Sequence, residues 1–434
     1  MKACASHLAI FGGPPLYLKP LHVGQPVIED RDLLLSDFDS VMRSGQLTNN
    51  GPRLKEFEAA ICRITRTRHC VATCNATVAL QIAARALRLT GEVIMPAFTF
   101  IATAHAMEWI GLTPVFADVD PLTHTLDPAS AEACISSRTS AILPVHLWGH
   151  VCRTQTLQDI CNRHQLRLMF DSSHAFGCQH DGSPVGGFGE LEVFSFHATK
   201  FVHAFEGGAI VTNDDSIADR CRRLRAFGIV GLTEISDVGT NGKMHELSAA
   251  AGLRSLLSMP ERMTTNAVNR QTCADQLRSI PGLSVLPIPD GDVTNGQYLV
   301  VCVDEDRFGL CRDQLVRILR AEGIFARSYF APGCHRAEPY VHADAGVHVR
   351  VPLPVTERLS QTILQLPTGP AVSIQDIRSM GWLMRLIHRS ADQIQHSWSN
   401  HDGRLFCHAD DPARPHDAVI RKTVPVESVL REAG

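Results

Sequence analysis

At 434 residues, with 44% hydrophobic and 20% charged residues, the chain can bury a sizeable core and is not a disordered polymer. A formal net charge of −4 argues against a nucleic-acid partner, and no apolar run is long enough to span a bilayer, which argues against a membrane. The 14 cysteines include no C-x-x-C and share no zinc-type spacing with histidines, so they read as reduced thiols of a cytoplasmic protein with no metal site.

In chain order, residues 1–55 read as an irregular arm and loop. Pro14, Pro15, Pro20 and Pro26 interrupt helix formation, and Ser44 to Pro52 is dense in turn residues. A helix carrying Phe57, Ala60 and Ile61 follows. Short apolar runs then alternate with helical patterns: His69–Thr73, Glu92–Met95, Pro114–Ala117, Ala141–Val145 and Leu166–Phe170. This order predicts an α/β domain over 56–250, with a mostly parallel mixed sheet covered on both faces. Residues 251–389 read as a smaller α+β domain. Residues 390–434 are polar, hold several histidines and show no clear period, so they read as an appended tail, partly disordered.

Sites in such sheets lie past the carboxyl ends of strands. Lys200 lies there, after the apolar Val193, Phe194 and Phe196. It reads either as a solvated loop lysine or as a desolvated, nucleophilic amine. Asp171 ends Leu166–Phe170 and reads either as a helix cap or as a carboxylate facing a protonated ring nitrogen. Cys74 to Thr77 joins a strand to a helix, where free N–H groups attract a phosphate. Phe98 and Phe100 offer a ring for stacking, or core packing. Together these are the parts that pyridoxal 5′-phosphate requires.

On six stretches the chain resembles the DegT/DnrJ/StrS sugar aminotransferases. They are Leu47–Pro52, Pro96–Thr103, Pro144–Gly149, Asp171–Gly177, Phe194–Lys200 and Glu206–Gly208. The resemblance implies the aspartate-aminotransferase-like fold (fold type I) and a transaminase. Lys200 would hold pyridoxal 5′-phosphate as an internal aldimine and shuttle a proton. Asp171 would pair with the pyridine nitrogen, His174 would sit by the ring hydroxyl, and Phe100 would stack on the ring. Ala76, Thr77 and Ser195 would cradle the phosphate. Asn241 would reach the phosphate of a neighbouring subunit, making a homodimer with shared sites. Three positions depart from the family pattern: Ala76 stands for glycine, Lys243 for arginine and Ser172 for alanine.

The nearest subgroup by resemblance aminates C4 of dTDP-4-keto-6-deoxy-D-glucose with L-glutamate as donor. Tyr329, Phe330 and His335 would line the sugar-nucleotide cleft. The alternatives are a 3-keto nucleotide sugar, a keto-cyclitol of the scyllo-inosose type, and a PLP-binding regulator. The sequence offers no role for His203 and Phe205.

Overall fold

Seven strands build the central sheet of the computed structural model, which describes residues 2–28, 30–232, 234–342 and 346–400. They are β1 (His69–Thr73), β2 (Glu92–Pro96), β3 (Thr113–Ala117), β4 (Thr139–Ile142), β5 (Arg167–Asp171), β6 (Leu191–Ser195) and β7 (Gly208–Thr212). Their lateral order is β1-β7-β6-β5-β4-β2-β3. Neighbours from β6 through β3 run parallel, and β7 runs antiparallel to both β1 and β6. The expected α/β class with a mostly parallel mixed sheet is therefore present.

The strands are apolar throughout because both faces are covered. Every residue of β2, β6 and β7 is buried. The helices of this layer include α1 (Arg31–Ser44), α2 (Pro52–Thr65), α3 (Ala76–Ala86), α4 (Ala102–Glu108) and α5 (Thr154–His164). Leu80 and Ala83 of α3 and Met107 of α4 join Met95 and Val193 in one core. Leu157 and Ile160 of α5 join Ile94, Ile142 and Phe170 in another.

A second, antiparallel sheet holds β8 (Leu283–Val285), β9 (Leu299–Val303) and β10 (Ile363–Leu366), in the order β8-β9-β10. Helices α6 (Met259–Leu277), α7 (Arg312–Ala321), α8 (Ile374–Arg389) and α9 (Ala391–Asn400) pack with it. Their shared core includes Val301, Leu364, Leu319, Ile377 and Leu383, and it takes in Leu8 from the N-terminal segment.

Two expectations need correction. The arm over 1–55 contains α1, a 14-residue helix. All four prolines precede it, so none blocks it; Leu34 and Val41, two turns apart, face inward, and Gly45 ends it in the left-handed conformation. The expected tail likewise begins with α9, whose Ala391 and Ile394 are buried in the second core. One short apolar stripe suffices when neighbouring elements already form the surface that receives it. The rest of that expected tail, 401–434, lies outside the described residues.

Among the described residues no helix is long and apolar enough to cross a membrane, and the described cysteines are free thiols.

Candidate active site

Asp171 is the last residue of β5 and is buried. No helix starts after it; residues 172–178 form turns. One carboxylate oxygen accepts the N–H of Ser173 at 3.1 Å, and the other accepts the hydroxyl of Thr103, on α4, at 2.8 Å. The carboxylate is thus held at a strand end by neighbours that are donors.

Lys200 lies beyond β6, which stops at Ser195. A turn closed by Lys200 N–H donating to His197 O at 2.8 Å carries it. Its Nζ lies 3.1 Å from Tyr298 Oη. Burial pushes the amine from 10.5 down to about 8, against the opposing pull of Asp171. This desolvation comes from the packed surroundings of a turn beyond the strand.

Around the lysine stand flat rings. His174 lies 4.4 Å from Tyr298 and stacks on Trp148 at 5.8 Å. Trp148 stacks on Phe330 at 5.2 Å, and Tyr329 stacks on Phe330 at 5.1 Å. Burial, then the Lys200 charge, hold His174 well below its ordinary value, so the ring is neutral.

A third group of residues meets at one corner of the sheet. Gly208 pairs with Ser195 on one side and Thr73 on the other. A Cβ on Gly208 would lie 2.6 Å from Asn75 C and 2.7 Å from Ala76 N. Only glycine lets the start of α3 approach this closely. Asn75 caps that helix by accepting the Val78 N–H at 2.8 Å. The amides of Ala76 and Thr77 belong to the first turn and have no acceptor within the helix. An aspartate, a desolvated lysine, a neutral histidine and a helix N-terminus with free amides fit a flat, phosphate-bearing ring cofactor.

A model of the DegT/DnrJ/EryC1/StrS aminotransferase family matches residues 29–382. The chain belongs to this family.

Its members are pyridoxal-phosphate-dependent transaminases. The dTDP-4-amino-4,6-dideoxy-D-glucose transaminase of Shigella dysenteriae is 37% identical over 361 residues, covering 80% of this chain and 97% of that protein. A GDP-perosamine synthase of Vibrio cholerae is 30% identical over 345 residues, covering 78% and 91%. Among solved structures, DesI in the presence of its TDP-sugar product superposes with a TM-score of 0.87. It is 46% identical and covers 91% of this chain and 99% of DesI.

The remaining residues of this aminotransferase fall in different places. Phe100 is 51% exposed and lies 6.2 Å from Phe330, so its ring edges the cluster. Ser195 accepts the His197 N–H at 3.4 Å through Oγ. Asn241 is exposed in a segment that bridges to Ala226, next to Gly242, whose carbonyl accepts the Cys74 N–H at 2.8 Å. Lys243 reaches Asn49 Oδ1 at 2.7 Å. His335 is buried and turned toward Glu357, whose Oε1 lies 2.9 Å from its Nε2, and so sits in a hydrogen bond apart from the stacked rings. His203 Nε2–H donates to Val27 O at 3.1 Å, and its backbone N–H donates to Ser255 Oγ at 3.0 Å, which gives it a structural place.

Sequence reasoning missed Thr103, Trp148 and Tyr298 as individual site residues. Thr103 and Trp148 lie inside stretches singled out for resemblance, where spacing alone could have flagged them. Tyr298 had no such signal, being a tyrosine before an ordinary strand.

Proposed function

We propose that this transaminase moves an amino group from an amino acid, L-glutamate by family resemblance, to C4 of dTDP-4-keto-6-deoxy-D-glucose. Nucleotide-sugar amino transfer is the activity of the relatives named above; the sugar and the carbon are the finer reading. The observation that carries it is the 46% identity to DesI over nearly its whole length, with 37% to the Shigella enzyme.

When bound, pyridoxal 5′-phosphate supplies a carbonyl that takes the amino group and a ring that withdraws electrons. The chain's own residues would do the rest. Ala76 N–H, Thr77 and Ser195 would bind the phosphate at the start of α3. Asp171 would hold a proton at the ring nitrogen, since its carboxylate is anchored by Thr103 and Ser173. Lys200 would carry the cofactor and, once released, take and return a proton at Nζ, a task suited to an amine held near 8. His174, kept neutral, would offer a hydrogen bond without a charge. Phe100, Tyr329 and Phe330 would bound the space for ring and sugar. Asn241 would contact the phosphate across a homodimer in the cytoplasm.

The test is a donor and acceptor screen read by mass spectrometry, with 4-keto and 3-keto dTDP-sugars against scyllo-inosose. The expected product is the C4 amine from L-glutamate. Amination of the 3-keto sugar or the cyclitol alone would overturn the substrate assignment. Lys200→Ala should lose the visible cofactor band; a variant that keeps it would sink the lysine assignment.

A further inference from the structure

The segment Asn295-Gly296-Gln297-Tyr298 leads into β9 and lies across both loops that carry the site. Asn295 Nδ2 donates to the carbonyls of His174 and Phe176, each at 3.1 Å. Its backbone N–H faces Cys178 Sγ at 3.3 Å. Gln297 bonds in two directions. Its Nε2 donates to His174 O at 3.1 Å, and its Oε1 accepts the N–H of Phe201 at 2.7 Å. Phe201 follows Lys200, so one amide side chain joins the loop after Asp171 to the turn that holds the lysine. Tyr298 ends the segment with its hydroxyl 3.1 Å from Lys200 Nζ.

The segment is itself held firmly. Asn295 Oδ1 accepts the Gln297 N–H at 3.1 Å, closing a local turn. Gly296 has φ +63°, and a Cβ there would lie 2.8 Å from Asn266 Cβ. Asn266 Nδ2 donates to Asn295 O at 2.8 Å. The Tyr298 ring is wedged between His174 at 4.4 Å and Trp148 at 5.4 Å, and the next residue, Leu299, pairs with Leu366 of β10.

We propose that Asn295–Tyr298 is a clasp that sets the Lys200 amine against the Asp171–His174 loop, with the Tyr298 hydroxyl holding Nζ. A hydroxyl donates to a neutral amine and accepts from a charged one, so it serves both states of a proton-moving lysine. Burial raises the phenol well above its ordinary value, so Tyr298 stays protonated and acts as a positioning residue, not a base. The inference rests on Lys200 being the lysine that links the cofactor.

The test uses the full chain freed of cofactor and mixed with pyridoxal 5′-phosphate. Visible absorbance reads the rate of covalent linkage, tryptophan quenching reads non-covalent affinity, and borohydride trapping with peptide mapping identifies the lysine. Tyr298→Phe keeps the stacked ring and removes the hydroxyl. The expected result is linkage slowed about tenfold, with affinity and Tm unchanged, because misplacing a reacting atom lowers its effective concentration. Gln297→Leu, which cuts the bridge and leaves the phenol, should slow linkage as well and keeps the idea testable if Tyr298→Phe folds poorly. Trapping on Lys200 with parental rates in both variants overturns the clasp alone. Trapping on another lysine overturns the lysine assignment and the clasp together.

Discussion

Thr103 Oγ1 donates a 2.8 Å hydrogen bond to Asp171 Oδ2, tying the first turn of α4 to the last residue of β5. Both side chains are buried, so water cannot replace the bond. Hydrogen bonds to charged groups contribute about 1.5–3 kcal/mol. Thr103→Val should therefore lower kcat/KM by about tenfold or more through a misoriented Asp171 carboxylate. Thr103→Ser should restore most of it. Steady-state kinetics on the three proteins, with equal Tm for parent and Ser variant, check this.

The Lys200 amine is held near 8 by burial, below its ordinary 10.5. In the cofactor-free protein its acylation should be half-maximal near that pH, read by peptide mass spectrometry. Asp171 opposes the shift, so Asp171→Asn should move the midpoint lower still. The folded value lies below the unfolded one, so the folded state binds fewer protons between them. Stability from this group accordingly rises as pH climbs from about 8 to 10.5.

Glu92, at the start of β2, is 1% exposed and accepts hydrogen bonds from Arg350 at 2.8 Å, Ser136 at 2.7 Å and Arg138 at 2.7 Å. These partners, Arg350 foremost, hold its carboxyl at about 2 against an ordinary 4.5. A depressed carboxylate contributes stability that is complete above 4.5 and lost as pH falls toward 2. Glu92→Gln should cost about 3 kcal/mol at neutral pH and flatten the acid limb of the stability curve. Urea titrations at neutral and acidic pH measure both.

Ile394 of α9 is fully buried in the second core. Ile394→Ala should cost about 2–5 kcal/mol through lost burial and a cavity. Denaturant midpoints report it. A loss below about 0.5 kcal/mol, the size of an exposed-site change, would show that α9 does not carry the core as packed here.

Much of the candidate site was legible because its parts are local. Asp171 and the Cys74–Thr77 junction follow from where an apolar run stops, since strand ends open onto the crevice in any such sheet, whereas Ser195 was singled out by resemblance. Gly208 was legible only as part of a resembling stretch; that a Cβ there would meet Asn75 and Ala76 depends on how two distant segments pack. Of the two readings of Lys200, the desolvated amine agrees with its lowering to about 8 by burial, in a turn beyond the end of β6 at Ser195. The helix at 31–44 was hidden by prolines that all lie upstream, and α9 by a polar surface that conceals two inward-facing residues.

By itself the sequence determined the strand–helix alternation, the parallel sheet and the order in which cradle, aspartate and lysine come along it. Those follow from periodicity and strand ends, which are properties of neighbouring residues. Only the tertiary structure decided what fixes the lysine. Tyr298 lies far along the chain from Lys200 and reaches it from the other sheet, Gln297 bonds two loops at once, and Thr103 meets Asp171 across two elements. Such contacts depend on the packing of whole layers against each other, and no pattern within either segment encodes the partner it will meet.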